Sequence, residues 1–234
     1  MAEDFSVVFA LYPRLTQLDF TGPFEVFARL PRSRIVLAAT HAGALSADSG
    51  LTFAGVRALA EVQDCSLLCV PGGYGCTEAL EDAEFLAALR RLATGARYVT
   101  SVCTGSLLLG AAGLLRGRRA ACHWAFRELL AAFGAVPDPA RVVRDGNVFT
   151  GGGVTAGIDM ALTVMAEIAG PEHAQAVQLE IEYAPAPPCD SGRPERAPPA
   201  VLATVRRHFE QVLAARLAAV QRAGAEFAAR AAGD

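Results

Sequence analysis

One cysteine stands where a strand gives way to a helix. In residues 97–106, RYVTSVCTGS, a β-rich run ends at Cys103 and Thr104-Gly105-Ser106 follows at once. A thiol reacts as its thiolate, and a helix start favours that form by aiming unpaired N–H groups and the positive dipole end at it. Between a strand at 97–102 and a helix at 104–115, Cys103 would sit as the nucleophile of a strand–turn–helix elbow does, with Gly105 leaving room for the sharp turn. The bland alternative is a small buried hydrophobe, the usual fate of a free cysteine. Position at a βα junction narrows that choice without closing it.

Other groups could join Cys103. Asp19, in LDFTGP, could bring a carboxyl to the sulfur from the loop after the first strand, or could be an ordinary acid at a helix start. Gly72 and Gly73 end a strand and could aim backbone N–H groups at charge developing beside the thiol, or simply make a turn. Thr104 could orient water or substrate through its hydroxyl and add its N–H to the same cradle, or cap the helix that follows. His123, beside Trp124, follows a further strand and could form a Cys-His pair. The run Gly151-Gly152-Gly153 lacks the phosphate-loop and dinucleotide signatures, so close packing near the site accounts for it better than phosphate binding.

The elements that must position these residues are short apolar runs alternating with helical segments. Strands are expected at 6–12, 34–40, 51–56, 65–73, 97–102 and 119–124, with a hairpin over 142–153 turning at Asp-Gly-Asn. Helices are expected at 18–30, with Thr21 as cap and Pro23 in the first turn, and at 77–94, 104–115, 125–133 and 155–169. Unbroken apolar strands separated by helices imply an α/β fold, a mostly parallel sheet covered on both faces. Ligands then collect outside the carboxyl ends of the strands, where Gly72-Gly73 and Cys103 fall. The Pro-rich stretch 183–199 reads as an extended loop. Residues 200–231 read as an amphipathic helix with Val201, Val205, Phe209, Val212 and Leu217 on a stripe, covering a dimer interface or the domain's own sheet.

The length, 234 residues, suits one domain spanning 1–234, and 53% hydrophobic residues imply a large core. A net charge of −3 without a basic block excludes the footprint of a nucleic-acid binder. No secretory leader and no stretch able to cross a bilayer is read, so a cytoplasmic protein with no membrane partner is expected. The six cysteines form no CxxC pair and the four histidines have no ligand spacing, so neither a disulfide framework nor a metal is expected.

Four stretches together resemble the ThiJ/PfpI superfamily: residues 19–26 (DFTGPFEV), 70–73 (VPGG), 101–106 (SVCTGS) and 151–159 (GGGVTAGID). The likeness spans roughly residues 5–188, including YAPAPP, and is greatest to the isonitrile hydratases. It implies a flavodoxin-like, class I glutamine-amidotransferase-like fold and a homodimer with the active site near its interface. Protease-like members carry Cys-His at the elbow, where this chain has Cys103-Thr104. Stress-protective members generally present a glutamate, where this chain has Asp19, as the isonitrile hydratases do.

The resemblance implies hydration of an isonitrile to an N-substituted formamide through a thioimidate on Cys103. Asp19 is then the acid/base, kept partly protonated by burial and by an adjacent thiolate, and Thr104 matters for activity. Neither metal nor organic cofactor is implied. An apolar pocket follows if Phe20, Trp124, Ile158 and Met160 approach the site, with His123 and Gly152 as support. The alternatives are a glyoxalase- or deglycase-like thiol enzyme of the same superfamily, and a non-catalytic redox or ligand-sensing protein.

Overall fold

A computed structural model of the chain describes residues 5–231. Strand β1 (Phe5–Ala10) leads into helix α1 (Gln17–Phe27), and β2 (Ser33–Ala39) follows. A short β3 (Gly43–Ser46) then folds back on β4 (Thr52–Ala58). Next come β5 (Leu67–Val70), α2 (Cys76–Ala79), α3 (Ala83–Gly95), β6 (Tyr98–Val102) and α4 (Gly105–Ala111). A two-residue β7 (Arg119–Ala120) and a 3-10 segment (Arg127–Phe133) precede β8 (Val136–Pro137), β9 (Val142–Asp145) and β10 (Val148–Gly151). Helices α5 (Ala156–Ala169), α6 (Pro171–Glu180) and the long α7 (Pro199–Ala231) complete the described chain.

Eight strands make one sheet in the order β3-β4-β2-β1-β5-β6-β10-β9. Its pairs are parallel except at the two margins, where β3 meets β4 and β9 meets β10 antiparallel. The four central strands bury nearly every side chain, as strands covered on both faces must. Helix α1 docks on β1 through aromatic rings: Phe9 lies 5.0, 5.9 and 6.3 Å from Phe20, Phe24 and Phe27. Burying one such ring stabilises by roughly 1.5–3 kcal/mol, so the turn that carries Asp19 is anchored by its neighbour Phe20.

Several boundaries differ from expectation. Helix α1 begins before Thr21, which donates to Gln17 Oε1 at 2.8 Å instead of capping, and Pro23 lies inside the helix. The helix expected at 77–94 is two, broken where Asp82 accepts the Phe85 N–H and caps α3. The 119–124 run yields only β7, which pairs with β8 in a separate two-stranded sheet, so His123 does not follow a strand of the main sheet. The segment expected as a helix at 125–133 is 3-10. Residues 183–198 hold no regular element, in keeping with their prolines.

Candidate active site

Cys103 is the turn between β6 and α4 and carries φ +58°, a left-handed conformation that costs a side-chain-bearing residue free energy and persists only where the surroundings impose it. They do so from both sides. The Cys103 N–H donates to Gly151 O at 3.0 Å. A Cβ on Gly105 would run into the carbonyl oxygen of Val70, so glycine there is what lets α4 start against the end of β5. Cys103 is 6% exposed, and it lines a cavity of about 260 Å³ together with Thr104 and His123.

Asp19 lies in the first turn of α1, not in a loop, and is fully buried. Its Oδ2 accepts the Gly72 N–H at 2.9 Å, while Oδ1 has no hydrogen-bond partner among the described residues. Burial pushes the carboxyl up to about 7; the Gly72 N–H and the contact with Cys103 pull it down, and Asp48 pushes it further up. Near neutral pH the acid is therefore divided between its two forms, which suits a group that gives and takes protons.

The thiol behaves differently from expectation. Burial pushes Cys103 well above the usual cysteine range, and the Asp19 charge adds to this; the Thr104 N–H opposes it. Desolvation outweighs the short helix behind it. The free site therefore holds a neutral thiol facing a half-ionised acid, not a standing thiolate, and contact with Cys103 lowers Asp19 instead of raising it.

The glycine pair serves the side chains around it. The Gly72 N–H is held by Asp19, and the Gly73 N–H donates to Thr104 Oγ1 at 3.0 Å, so neither stands free to meet a developing charge as expected. A Cβ on Gly72 would stand 2.7 Å from both Asp19 Oδ2 and Thr104 Oγ1. Thr104 makes no side-chain cap to α4; its hydroxyl is spent on Gly73. Upstream, Thr16 N donates to Gly72 O at 2.9 Å and Tyr12 Oη to Pro71 O at 2.9 Å, which fastens the loop after β1 to the loop after β5.

His123 reaches the cavity without pairing with the thiol. Its Nδ1 accepts the Ala125 N–H at 3.3 Å, and burial, then the Arg216 charge, lower the imidazole to about 4. A ring so hard to protonate is a poor general base. The segment carrying it is fixed by a buried polar network that the sequence did not reveal: Ser106 Oγ donates to Ala121 O at 2.6 Å, Ser101 and Ser106 hydroxyls meet at 2.8 Å, and Ala121 N donates to Thr150 Oγ1 at 2.7 Å.

The expected pocket residues are not those that line the cavity. Phe20 and Met160 belong to the core, and Ile158 packs over Gly22. Trp124 and Gly152 line a neighbouring groove, and a Cβ on Gly152 would find its nearest neighbour at 3.5 Å, so packing does not demand glycine there. The apolar wall comes instead from Phe126, Val154, Phe209 and Val212, with Arg216 beside them. Among the described residues no group of three His, Cys, Asp or Glu side chains could hold a metal ion, and no helix is long and apolar enough to cross a membrane.

Comparison with known proteins gives the family. Over 221 residues the chain is 49% identical to the isonitrile hydratase of Pseudomonas putida, a match covering 93% of this chain and 96% of that one. It is 30% identical over 171 residues to the HTH-type transcriptional regulator GlxA of Rhizobium meliloti, spanning only 53% of that regulator. A ThiJ/PfpI family protein from Pseudomonas syringae superposes with a TM-score of 0.90 at 38% identity, covering 93% of this chain and 91% of that one. Drosophila melanogaster DJ-1beta shares the fold, with a TM-score of 0.70 at 22% identity over 78% of this chain and all of that one. Residues 5–167 match the DJ-1/PfpI family, and to that family the chain belongs.

Proposed function

We propose that the protein hydrates isonitriles to N-substituted formamides, with Cys103 as nucleophile and Asp19 as the group that moves the proton. The observation that carries this reading is a buried carboxyl poised at about 7 against a buried neutral thiol on a strained turn. The near end-to-end likeness to the Pseudomonas putida isonitrile hydratase supports it.

As the sulfur attacks the terminal carbon of R–N≡C, the Asp19 carboxylate takes the thiol proton and returns it to that carbon. The S–H bond breaks, C–S and C–H bonds form, and the product is the thioimidate R–N=CH–S–Cys103. Water then adds to the same carbon, guided by Asp19, since the Thr104 hydroxyl is held by Gly73. The C–S bond breaks, nitrogen and sulfur each end with a proton, and R–NH–CHO leaves. A buried acid that is half protonated can serve both steps without reorganising solvent.

Incubating the protein with cyclohexyl isonitrile should yield N-cyclohexylformamide. Replacing Cys103 by Ala or Ser should abolish the product. Turnover of methylglyoxal with none of the isonitrile would favour the glyoxalase-like alternative. A homodimer in the cytoplasm is part of the same reading: the apolar side chains of Val201, Leu213 and Leu217 stand exposed along α7, and all six cysteines are free. Light scattering at twice the monomer mass checks the first half of that statement.

A further inference from the structure

One wall of the catalytic cavity comes from α7, which lies wholly outside residues 5–167 that match the family. Three residues of that helix face the cavity: Phe209, Val212 and Arg216. They recur every three or four positions and so share one face of a helix. The Phe209 ring lies 5.3 Å from His123 and 5.5 Å from Phe126, and lines the same cavity as Thr104 and Cys103.

Arg216 is the unusual member. It is 1% exposed, and among the described residues no carboxylate is within ion-pair reach of it. Its Nη2 donates to Gly73 O at 2.9 Å and Tyr74 O at 3.1 Å, its Nε to Thr77 Oγ1 at 3.3 Å, and its guanidinium carbon stands 4.4 Å from the centre of the Phe126 ring. A buried cation without a counter-charge is costly, so it holds its place only while these carbonyls and the ring solvate it. Gly73, whose carbonyl it grips, is also the residue whose N–H binds Thr104, next to the thiol. One side chain thus ties α7 to the loop beside Cys103. The second half of the helix is seated to match: Ala219 and Val220 are buried, and Gly224 runs so close to Ala132 that a Cβ would meet its carbonyl at 3.2 Å.

We propose that Phe209 and Val212 are specificity-determining residues that limit the size of the isonitrile's substituent, and that Arg216 is the positioning residue that holds them over Cys103. The proposal rests on the isonitrile reading for its substrate, but the wall itself can be measured without it. Cys103 is alkylated with iodoacetamide and with a bulky N-naphthyl iodoacetamide, and the labelled peptide is quantified by mass spectrometry. The same variants are assayed for kcat and KM on cyclohexyl and naphthyl isonitriles.

Phe209→Ala should raise the bulky-to-compact ratio in both assays about tenfold, the usual reach of a hydrophobic wall in discriminating size. Arg216→Met should raise the alkylation ratio and the KM for the cyclohexyl compound with a smaller change in kcat, and Arg216→Lys should recover part of the loss. A residue that merely stabilised the fold would lower the unfolding midpoint and leave the ratios alone. Unchanged ratios in Phe209→Ala overturn the proposal even if the arginine variant fails to fold. Shifted alkylation ratios in a protein that turns over no isonitrile overturn the functional reading and uphold the wall.

Discussion

Replacing Asp19 with asparagine should strengthen the fold above neutral pH while it ends turnover. In the folded chain the carboxyl titrates at about 7, against 3.8 for an ordinary aspartate. Its protonated form is therefore favoured by folding. The stability this contributes is fully present below pH 3.8 and is lost as pH rises through 7. A shift of this size corresponds to a loss on the order of 4 kcal/mol, at about 1.36 kcal/mol per unit. Asparagine mimics the neutral acid: its carbonyl can still accept the Gly72 N–H, and it cannot ionise. Urea unfolding of both proteins at pH 4, 6 and 8 should show near equality at pH 4 and an advantage for the variant that grows by that amount by pH 8. A difference that stays constant across the range would refute the burial argument for Asp19, and with it the source of its proton-moving capacity.

Three further outcomes follow from the same geometry. Gly72→Ala forces a methyl group into the space between Asp19 and Thr104; it should cost about 1–3 kcal/mol by overpacking and lower kcat/KM, as denaturation and kinetics would record. Ser106→Ala leaves the Ala121 carbonyl without its partner and should cost about 1–3 kcal/mol in denaturant unfolding. His123→Asn should leave the shape of the kcat/KM profile between pH 5 and 8 unchanged, because an imidazole lowered to about 4 does not titrate there; loss of an inflection near neutrality would contradict this.

Much of the architecture was legible because central strands announce themselves as unbroken apolar runs: residues 65–70 and 97–102 could hardly be anything else. The elbow followed from them, since Cys103 falls where such a run stops. What escaped was carried by few or distant contacts. Strand β3 buries only Leu45, and α6 buries only Ala174 and Val177, too little for a periodic signal. The break at Asp82 was written in the chain as a capping acid but was overridden by the helical period on either side. The cavity wall was missed for a different reason. An arginine within an amphipathic helix normally faces water, and nothing local shows that Arg216 is solvated by carbonyls more than 140 residues away. The expectation of a standing thiolate failed because dipole and position are local signals, whereas desolvation depends on the assembled core.

The central claim is a covalent bond between Cys103 and the substrate carbon. Acid quenching during turnover of cyclohexyl isonitrile, followed by intact-mass and peptide analysis, tests it directly. An isonitrile adds whole, with no leaving group, so the account predicts an adduct of the full substrate mass on Cys103, present in the wild type and absent in Cys103→Ser. Formamide production at the wild-type rate by Cys103→Ser, with no adduct on either protein, would contradict it.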